Sequence, residues 1–334
     1  MKSIILCAPS DFGLFKAIKD ALQSLGYHVY GFPIEDGNYR YKNILFRFNN
    51  LFHKTILGDK EYKNRLKLKK RNIQLSTALE SIPAFVDYAL FIRPDMYPPE
   101  FIKKVQKRTQ KCAAYHWDSM DRFPNVVKYV KLFDRFFVFN KEDAMKYPST
   151  KLTCNFIIQN DNSFAKNTSN LAYFVGSDYN NRVKETIQLK AILNSAGVTC
   201  DFTLKSNHSK NRRLLHKKGI QTIKNTIPYR ENLNKVKEAQ FIIDLHNQEQ
   251  SGLSFRIFEA LNYNKKLIST NKNIRNYDFF HPNNMFIWNG ENDKELYQFL
   301  NKETIKIPSE IIDKYRLNNW IKYILDDEPY IEIK

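Results

Sequence analysis

Glycine is scarce, with ten in 334 residues. A dinucleotide-binding turn needs three within a few positions. The first strand-to-helix turn here, Ala8-Pro9-Ser10-Asp11-Phe12-Gly13, holds one. The phosphate-binding loop of nucleotide hydrolases is missing too, so the sequence argues against a dehydrogenase and against an ATPase. Cysteine is also scarce. Cys7, Cys112, Cys154 and Cys200 lie far apart, with no paired zinc signature and no disulfide framework. This predicts a reducing compartment. The histidines show no metal-ligand spacing, and neither a metal nor a cofactor is expected. Long apolar runs are absent, and no window approaches the ~20 residues of a membrane span. At the start, Ile4 to Ala8 is too short for a signal peptide before Pro9 and Asp11. A cytoplasmic protein is expected, at most peripheral on the inner face of the membrane.

Acidic residues are in deficit. Lys and Arg number 53 against 35 Asp and Glu, a formal charge of +18. A field of that sign attracts anions, although part of the excess follows a general bias toward Lys, Asn and Ile. Hydrophobic residues make up 43%, enough for two ordinary cores in a chain of this length.

Ser3 to Ala8 reads as a buried strand. Leu14, Ile18, Leu22 and Leu25 share a helical face that ends at Gly26, and Tyr27 to Tyr30 reads as a second strand. Further strands are expected at Asp87 to Ile92, Lys111 to His116 and Arg135 to Phe139. Each stops at a polar cluster, and sites form at the carboxyl ends of parallel strands. The polar run 159–170 reads as a linker. The alternation then restarts, with strands at Leu171 to Val175, Val198 to Leu204, Phe241 to Leu245 and Lys266 to Ser269. Helices are expected at Arg182 to Leu193, Asn232 to Ala239 and Ser254 to Leu261. A tail helix is expected over Ser309 to Asp326, with Ser309 as its cap.

The most informative segment is Asp244-Leu245-His246-Asn247-Gln248-Glu249-Gln250-Ser251-Gly252-Leu253-Ser254-Phe255-Arg256-Ile257-Phe258-Glu259. It reads strand, Ser-Gly loop, then a helix bearing Arg and Glu. It resembles the donor-binding segment of GT-B glycosyltransferases, similar to those of bacterial lipopolysaccharide-core and capsule assembly. The resemblance covers roughly residues 171 to 280. It includes Tyr173-Phe174-Val175-Gly176-Ser177 with Arg182, and Ile227-Pro228-Tyr229 ahead of the next helix. It implies an α/β protein of two facing Rossmann-like domains with a cleft between them. The implied boundaries are an acceptor domain at 1–162, a nucleotide-sugar domain at 171–308, and a tail at 309–334 packing back on the first domain.

The resemblance makes Glu259 the ribose ligand. Ser251, Gly252 and Leu253 would lie at the diphosphate with Arg256 nearby, while Gly176, Arg182, Tyr229 and Gln250 complete the donor site. Helix dipoles and basic side chains would meet the phosphate charge without a metal. The position eight before Glu259 is Ser251, so the paired-glutamate pattern of many such enzymes is broken, and the stereochemistry stays open. The implied partners are a nucleotide-sugar donor and a glycan or glycolipid acceptor. In the first half, Tyr115-His116-Trp117-Asp118 and Arg93-Pro94-Asp95 stand at strand ends, which makes His116, Asp118 and Asp95 the candidate catalytic groups.

The stretch 40–71 combines an apolar helical face (Ile44, Leu45, Phe48, Leu51, Phe52, Ile56) with a basic run from Lys60 to Arg71. Such a stretch suits an anionic membrane or an anionic acceptor. No RNA-binding motif accompanies it, and no nucleic-acid partner is expected. Two other readings stand beside the transferase: a sugar-nucleotide epimerase on the same scaffold, and a non-catalytic glycan- or nucleic-acid-binding protein.

Overall fold

The structure is a computed structural model that describes residues 1–35, 62–159, 170–179, 181–247 and 251–333, with the backbone alone at Lys63 and Asn64. The chain forms two compact units, Met1–Val138 with Lys146–Lys151, and Phe139–Met145 with Leu152–Lys334. Each carries a six-stranded sheet.

In the first unit the strands are β1 (Ser3–Pro9), β2 (His28–Ile34), β3 (Val86–Ile92), β4 (Thr109–His116), β5 (Arg135–Val138) and β6 (Lys151–Leu152). Their order is β2-β1-β3-β4-β5-β6. The pairs β1–β2, β1–β3, β3–β4 and β4–β5 are parallel. β1 is apolar from Ile4 to Ala8 because helices cover both faces of a parallel sheet, and every one of those side chains is buried. The helix Leu14–Ser24 lays Ile18 and Leu22 on the sheet. β2 runs past the expected end at Tyr30, through Pro33 to Ile34. It is the edge strand, where the missing Pro33 N–H interrupts no interior ladder. The chain changes direction between β1 and β3, so this sheet has its topological switch point at their carboxyl ends.

The second sheet comprises β7 (Leu171–Ser177), β8 (Thr199–Lys205), β9 (Gln221–Ile223), β10 (Phe241–Asp244), β11 (Lys266–Ser269) and β12 (Met285–Ile287). The order is β12-β11-β10-β7-β8-β9, with every adjacent pair parallel. This is the doubly wound order of dinucleotide-binding sheets, with its switch point between β7 and β10. Phe174, Phe202, Leu189, Leu193, Ile243 and Trp288 form part of its core. The architecture is therefore α/β with two Rossmann-like units, as the sequence predicts.

Several local expectations change. The helix expected at Asn232 spans Tyr229–Glu238 and begins after Pro228, whose fixed φ suits a helix start. The single tail helix is two, Ser309–Lys314 and Leu317–Leu325, and Pro308 rather than Ser309 occupies the cap position. The break is at Arg316, which is extended (φ −71°, ψ 148°) and forms a parallel bridge with Ile157. Ile157 N–H donates to the Tyr315 carbonyl at 2.8 Å, and Leu317 N–H to the Ile157 carbonyl at 2.9 Å. Beyond it, Trp320 Nε1 donates to the Cys154 carbonyl at 3.0 Å, and its ring packs on Phe156 at 4.1 Å between centroids. The amphipathic face read at 44–56 and most of the linker lie outside the described residues. The last part of the basic run opens the helix Tyr62–Glu80. Among the described residues no helix is long and apolar enough to cross a membrane.

Candidate active-site residues

Three side chains of the second unit converge at its switch point. Arg182, which opens the helix Arg182–Ser195 after β7, donates to the Ser177 carbonyl at 3.0 Å and the Leu245 carbonyl at 2.8 Å. Arg256, in the first turn of the helix Phe255–Asn262, donates to the Val175 carbonyl through Nε at 3.0 Å and Nη2 at 2.6 Å. Two guanidinium groups are thus tied to strand-end carbonyls at the carboxyl edge of β7 and β10. Burial, and then the Arg256 charge, bring Arg182 down to about 10. Its Nε is buried without a hydrogen-bond partner.

Asp244 ends β10 beneath them. It is fully buried and accepts from Ser254 Oγ at 2.8 Å, Ser269 Oγ at 2.9 Å and Arg256 Nη1 at 3.3 Å. Burial works against its ionisation. Arg256, His246 and the two hydroxyls outweigh that and hold its carboxyl below the usual range. Ser254 occupies the cap position of the helix but turns its hydroxyl to Asp244 instead of to the first-turn amides.

Glu259 lies one turn further along this helix and is 7% exposed. Its two carboxylate oxygens accept from Asn232 Nδ2 at 3.3 and 3.2 Å, and Asn232 Oδ1 in turn accepts from the Tyr173 hydroxyl at 3.1 Å. Burial pushes Glu259 up to about 7, against the pull of Arg256 and the Asn232 amide. A carboxylate buried with one amide donor retains lone pairs for two more hydroxyl donors. Tyr229 is buried beside it, and its hydroxyl is pushed up first by that burial and then by the Glu259 charge.

The Ser-Gly loop is held by the segment that follows β5. Asn140 Oδ1 accepts from the backbone N–H of Ser251 at 3.1 Å and of Gly252 at 3.0 Å. Ser251 Oγ donates to Glu142. The Phe139 ring fills the space a side chain at Gly252 would need, since a Cβ there would stand 2.0 Å from Phe139 Cδ2. Asn271 Nδ2 donates to the Gly252 carbonyl at 3.1 Å, and Asn155 Nδ2 to the buried Leu253 carbonyl at 2.8 Å. At Gly176 a Cβ would meet Phe174 Cζ at 2.8 Å, so glycine is required where β7 approaches Arg182. Gln250 lies outside the described residues.

The first unit builds its own cluster at the carboxyl ends of β3 and β4. Arg93 follows β3 in a left-handed conformation (φ 57°, ψ 62°). Its guanidinium forks onto Asp95 (Nε–Oδ1 2.9 Å, Nη2–Oδ2 2.8 Å), and Nη1 reaches Asp118 Oδ2 at 2.6 Å. The guanidinium stacks 4.0 Å from the Phe123 ring centroid. Burial raises the carboxyl of Asp95. The Arg93 hydrogen bonds, together with His116, reverse this and hold it well below the usual range. His116, the last residue of β4, is completely buried. Its Nδ1 lies 3.5 Å from Asp95 Oδ1, and neither ring nitrogen makes an aligned hydrogen bond. Asp118 Oδ1 is 3.5 Å from Arg122.

The structure thus brings Asp95, His116 and Asp118 into one cluster, and Arg182, Arg256 and Glu259 into another. The organising roles of Arg93, Phe123, Asp244 and Asn232 were missed. The Arg93-Pro94-Asp95 tripeptide at a strand end was a visible signal for the first. The link from Asn232 to Glu259 spans 27 residues and left no local pattern. Among the described residues no group of three or more His, Cys, Asp and Glu side chains is placed to hold a metal ion.

No protein-family model matches the chain, and comparison with curated proteins finds no match. Solved structures do match along nearly its whole length. An α-glucosyltransferase in complex with UDP and a 13-mer DNA containing a HMU base superposes with a TM-score of 0.53 at 13% identity, covering 94% of this chain and 99% of that one. A glycosyltransferase from Rickettsia africae gives a TM-score of 0.53 at 12% identity, covering 98% and 99%. The likeness is one of fold, an α/β chain of two Rossmann-like units as in these two glycosyltransferases.

Proposed function

We propose that the chain is a glycosyltransferase. The second unit would bind a nucleotide-sugar donor, and the first would meet the acceptor hydroxyl of a surface glycan, lipopolysaccharide or capsule. The observation that carries this reading is the convergence of Arg182, Arg256 and Glu259 at the switch point of the second sheet. Two guanidinium groups suit a diphosphate, and a buried carboxylate one helical turn away suits the ribose hydroxyls. Backbone likeness to two glycosyltransferases agrees with it.

In the transfer, the acceptor oxygen forms the new bond to the anomeric carbon as the bond to the nucleoside diphosphate breaks. The acceptor proton passes to a general base, and the departing diphosphate carries its charge to Arg182 and Arg256. Of the three strand-end groups, Asp118 is the proposed base. Asp95 is committed to Arg93 through both oxygens, and buried His116 acts through Asp95 as a positioning residue. Metal would not be needed, since the two arginines meet the phosphate charge. Residence in the cytoplasm, peripheral at the membrane, suits a lipid-linked acceptor.

The test is release of nucleoside diphosphate from a panel of nucleotide sugars, with and without extracted glycolipid, in EDTA. The expected result is release from one donor, stimulated by acceptor and unaffected by chelation. Release that disappears in EDTA and returns with Mn²⁺ would overturn metal independence. No release with any donor would overturn the transferase reading.

A further inference from the structure

The second unit carries a cationic surface made of residues other than those assigned to the donor site. Between Asp201 and Glu231 the sequence holds Lys205, Lys210, Arg212, Arg213, Lys217, Lys218, Lys224 and Arg230, and no acid. A uniform excess of lysine would leave acids interspersed, whereas here the signs are segregated. The centre of this stretch is the helix Ser209–Lys217, which buries one residue, Leu215. Its other side chains face outward or lie half-buried.

The helix is fixed at both ends by polar contacts that leave these cations unneutralised. Ser206 Oγ and Asn211 Nδ2 donate to Asp178 Oδ2 at 2.6 and 2.9 Å, which engages the nearby acid with neutral groups. His216 Nε2 pairs with Thr222 Oγ1 at 2.7 Å. Among the described residues Lys210, Arg213 and Lys217 form no ion pair with a carboxylate. With Ser209 and Leu214 they line a shallow depression of about 280 Å³ along one helical face. Leu214 is 42% exposed in the midst of the cations.

We infer that this face docks on an anionic phospholipid bilayer. The cations match the phosphodiester headgroups in sign. Leu214 decides between possible anionic partners. An exposed leucine inside a ring of cations adds nothing to a nucleic-acid backbone in water, but it gains by entering the boundary between headgroups and acyl chains. The helix carries no Phe, Tyr or Trp on which a base could stack, and its one ring, His216, is engaged with Thr222. This inference is independent of the donor site and of the basic run before Arg71.

The test is co-sedimentation of the full chain with vesicles of equal phosphatidylglycerol and phosphatidylcholine, and with vesicles of phosphatidylcholine alone. Binding is expected to the anionic vesicles only, and to fall steeply as salt rises. The triple variant K210Q/R213Q/K217Q should bind at least tenfold more weakly. A control, K103Q/K107Q/K128Q, removes the same three charges from exposed positions of the first unit and should bind like the wild type. Leu214→Ser should weaken binding severalfold without changing its salt dependence. All these positions are exposed, and a melting curve for each variant checks that the fold is kept. Three outcomes overturn the inference: a wild type that ignores anionic vesicles, two triple variants that lose binding equally, or a helix variant that loses duplex-DNA binding while keeping its vesicle binding.

Discussion

The side-chain oxygen of Asn140 stands 3.0 Å from the backbone nitrogen of Gly252 and 3.1 Å from that of Ser251, accepting a hydrogen bond from each. These are the amides the Ser-Gly loop would offer to a phosphate. A neutral carboxamide oxygen thus accepts from the two amides proposed to meet the donor's phosphates. A diphosphate taking these amides must displace it. Asn140→Asp would set a fixed negative charge there, so nucleoside diphosphate affinity should fall at least tenfold while affinity for the nucleoside stays the same. Calorimetry with both ligands checks this, and an equal loss for both would show that Asn140 only shapes the loop.

Gly252→Ala should destabilise the second unit. The added Cβ would meet Phe139 at its ring root, which is buried and cannot swing aside. Overpacking of this kind costs about 1–3 kcal/mol. Phe139→Ala in the same chain should return part of that loss by opening the space. Denaturant melts of the two single variants and the double variant measure the coupling, and strictly additive effects would contradict the contact.

Arg93→Ala should be among the most damaging changes in the first unit. It strips two largely buried carboxylates, Asp95 and Asp118, of their shared partner, and breaking such a pair costs about 3–5 kcal/mol. Arg93→Lys keeps the charge but loses the fork onto Asp95, and should recover only part. Chemical denaturation gives the order wild type, Lys, Ala, and equal stability of Lys and wild type would remove the fork from the account.

Glu259 ties stability and donor binding to pH. Burial raises its carboxyl from its ordinary value to about 7 in the folded chain. Its contribution to stability is therefore complete below the unfolded value and is lost as pH rises through about 7. Glu259→Gln should flatten the pH dependence of the melting temperature across that window. Ribose hydroxyls need the ionised carboxylate as acceptor, so nucleotide binding at pH 6 should release a proton. Calorimetry in two buffers of different ionisation heat detects this, and no proton release would take Glu259 out of contact with the ligand.

Much of the fold was legible because parallel strands buried on both faces are continuous apolar runs. Ile4 to Ala8 and Phe241 to Ile243 declare themselves this way. The helix Ser209–Lys217 was missed because it buries only Leu215, which leaves no apolar periodicity to read. The tail was read as one helix because the bridge between Arg316 and Ile157 links positions far apart in sequence. In the candidate site, Glu259 and Arg256 were singled out through the resemblance carried by a local loop-and-helix segment, and both stand on the helix Phe255–Asn262. Asn140 was read only as part of a polar strand end, and its grip on Ser251 and Gly252 crosses more than a hundred residues, a relationship that local spacing does not encode.

The central claim is that the second unit holds a nucleotide diphosphate with Glu259 on its ribose. Calorimetric titration of the wild type and of Glu259→Ala with nucleoside diphosphates and their sugar conjugates tests it most directly. The account predicts that at least one of these ligands binds the wild type, and that the variant loses about 1.5–3 kcal/mol of that affinity, the scale of hydrogen bonds to a charged group. Binding of no nucleotide by the wild type, or equal affinity for both proteins, would contradict it.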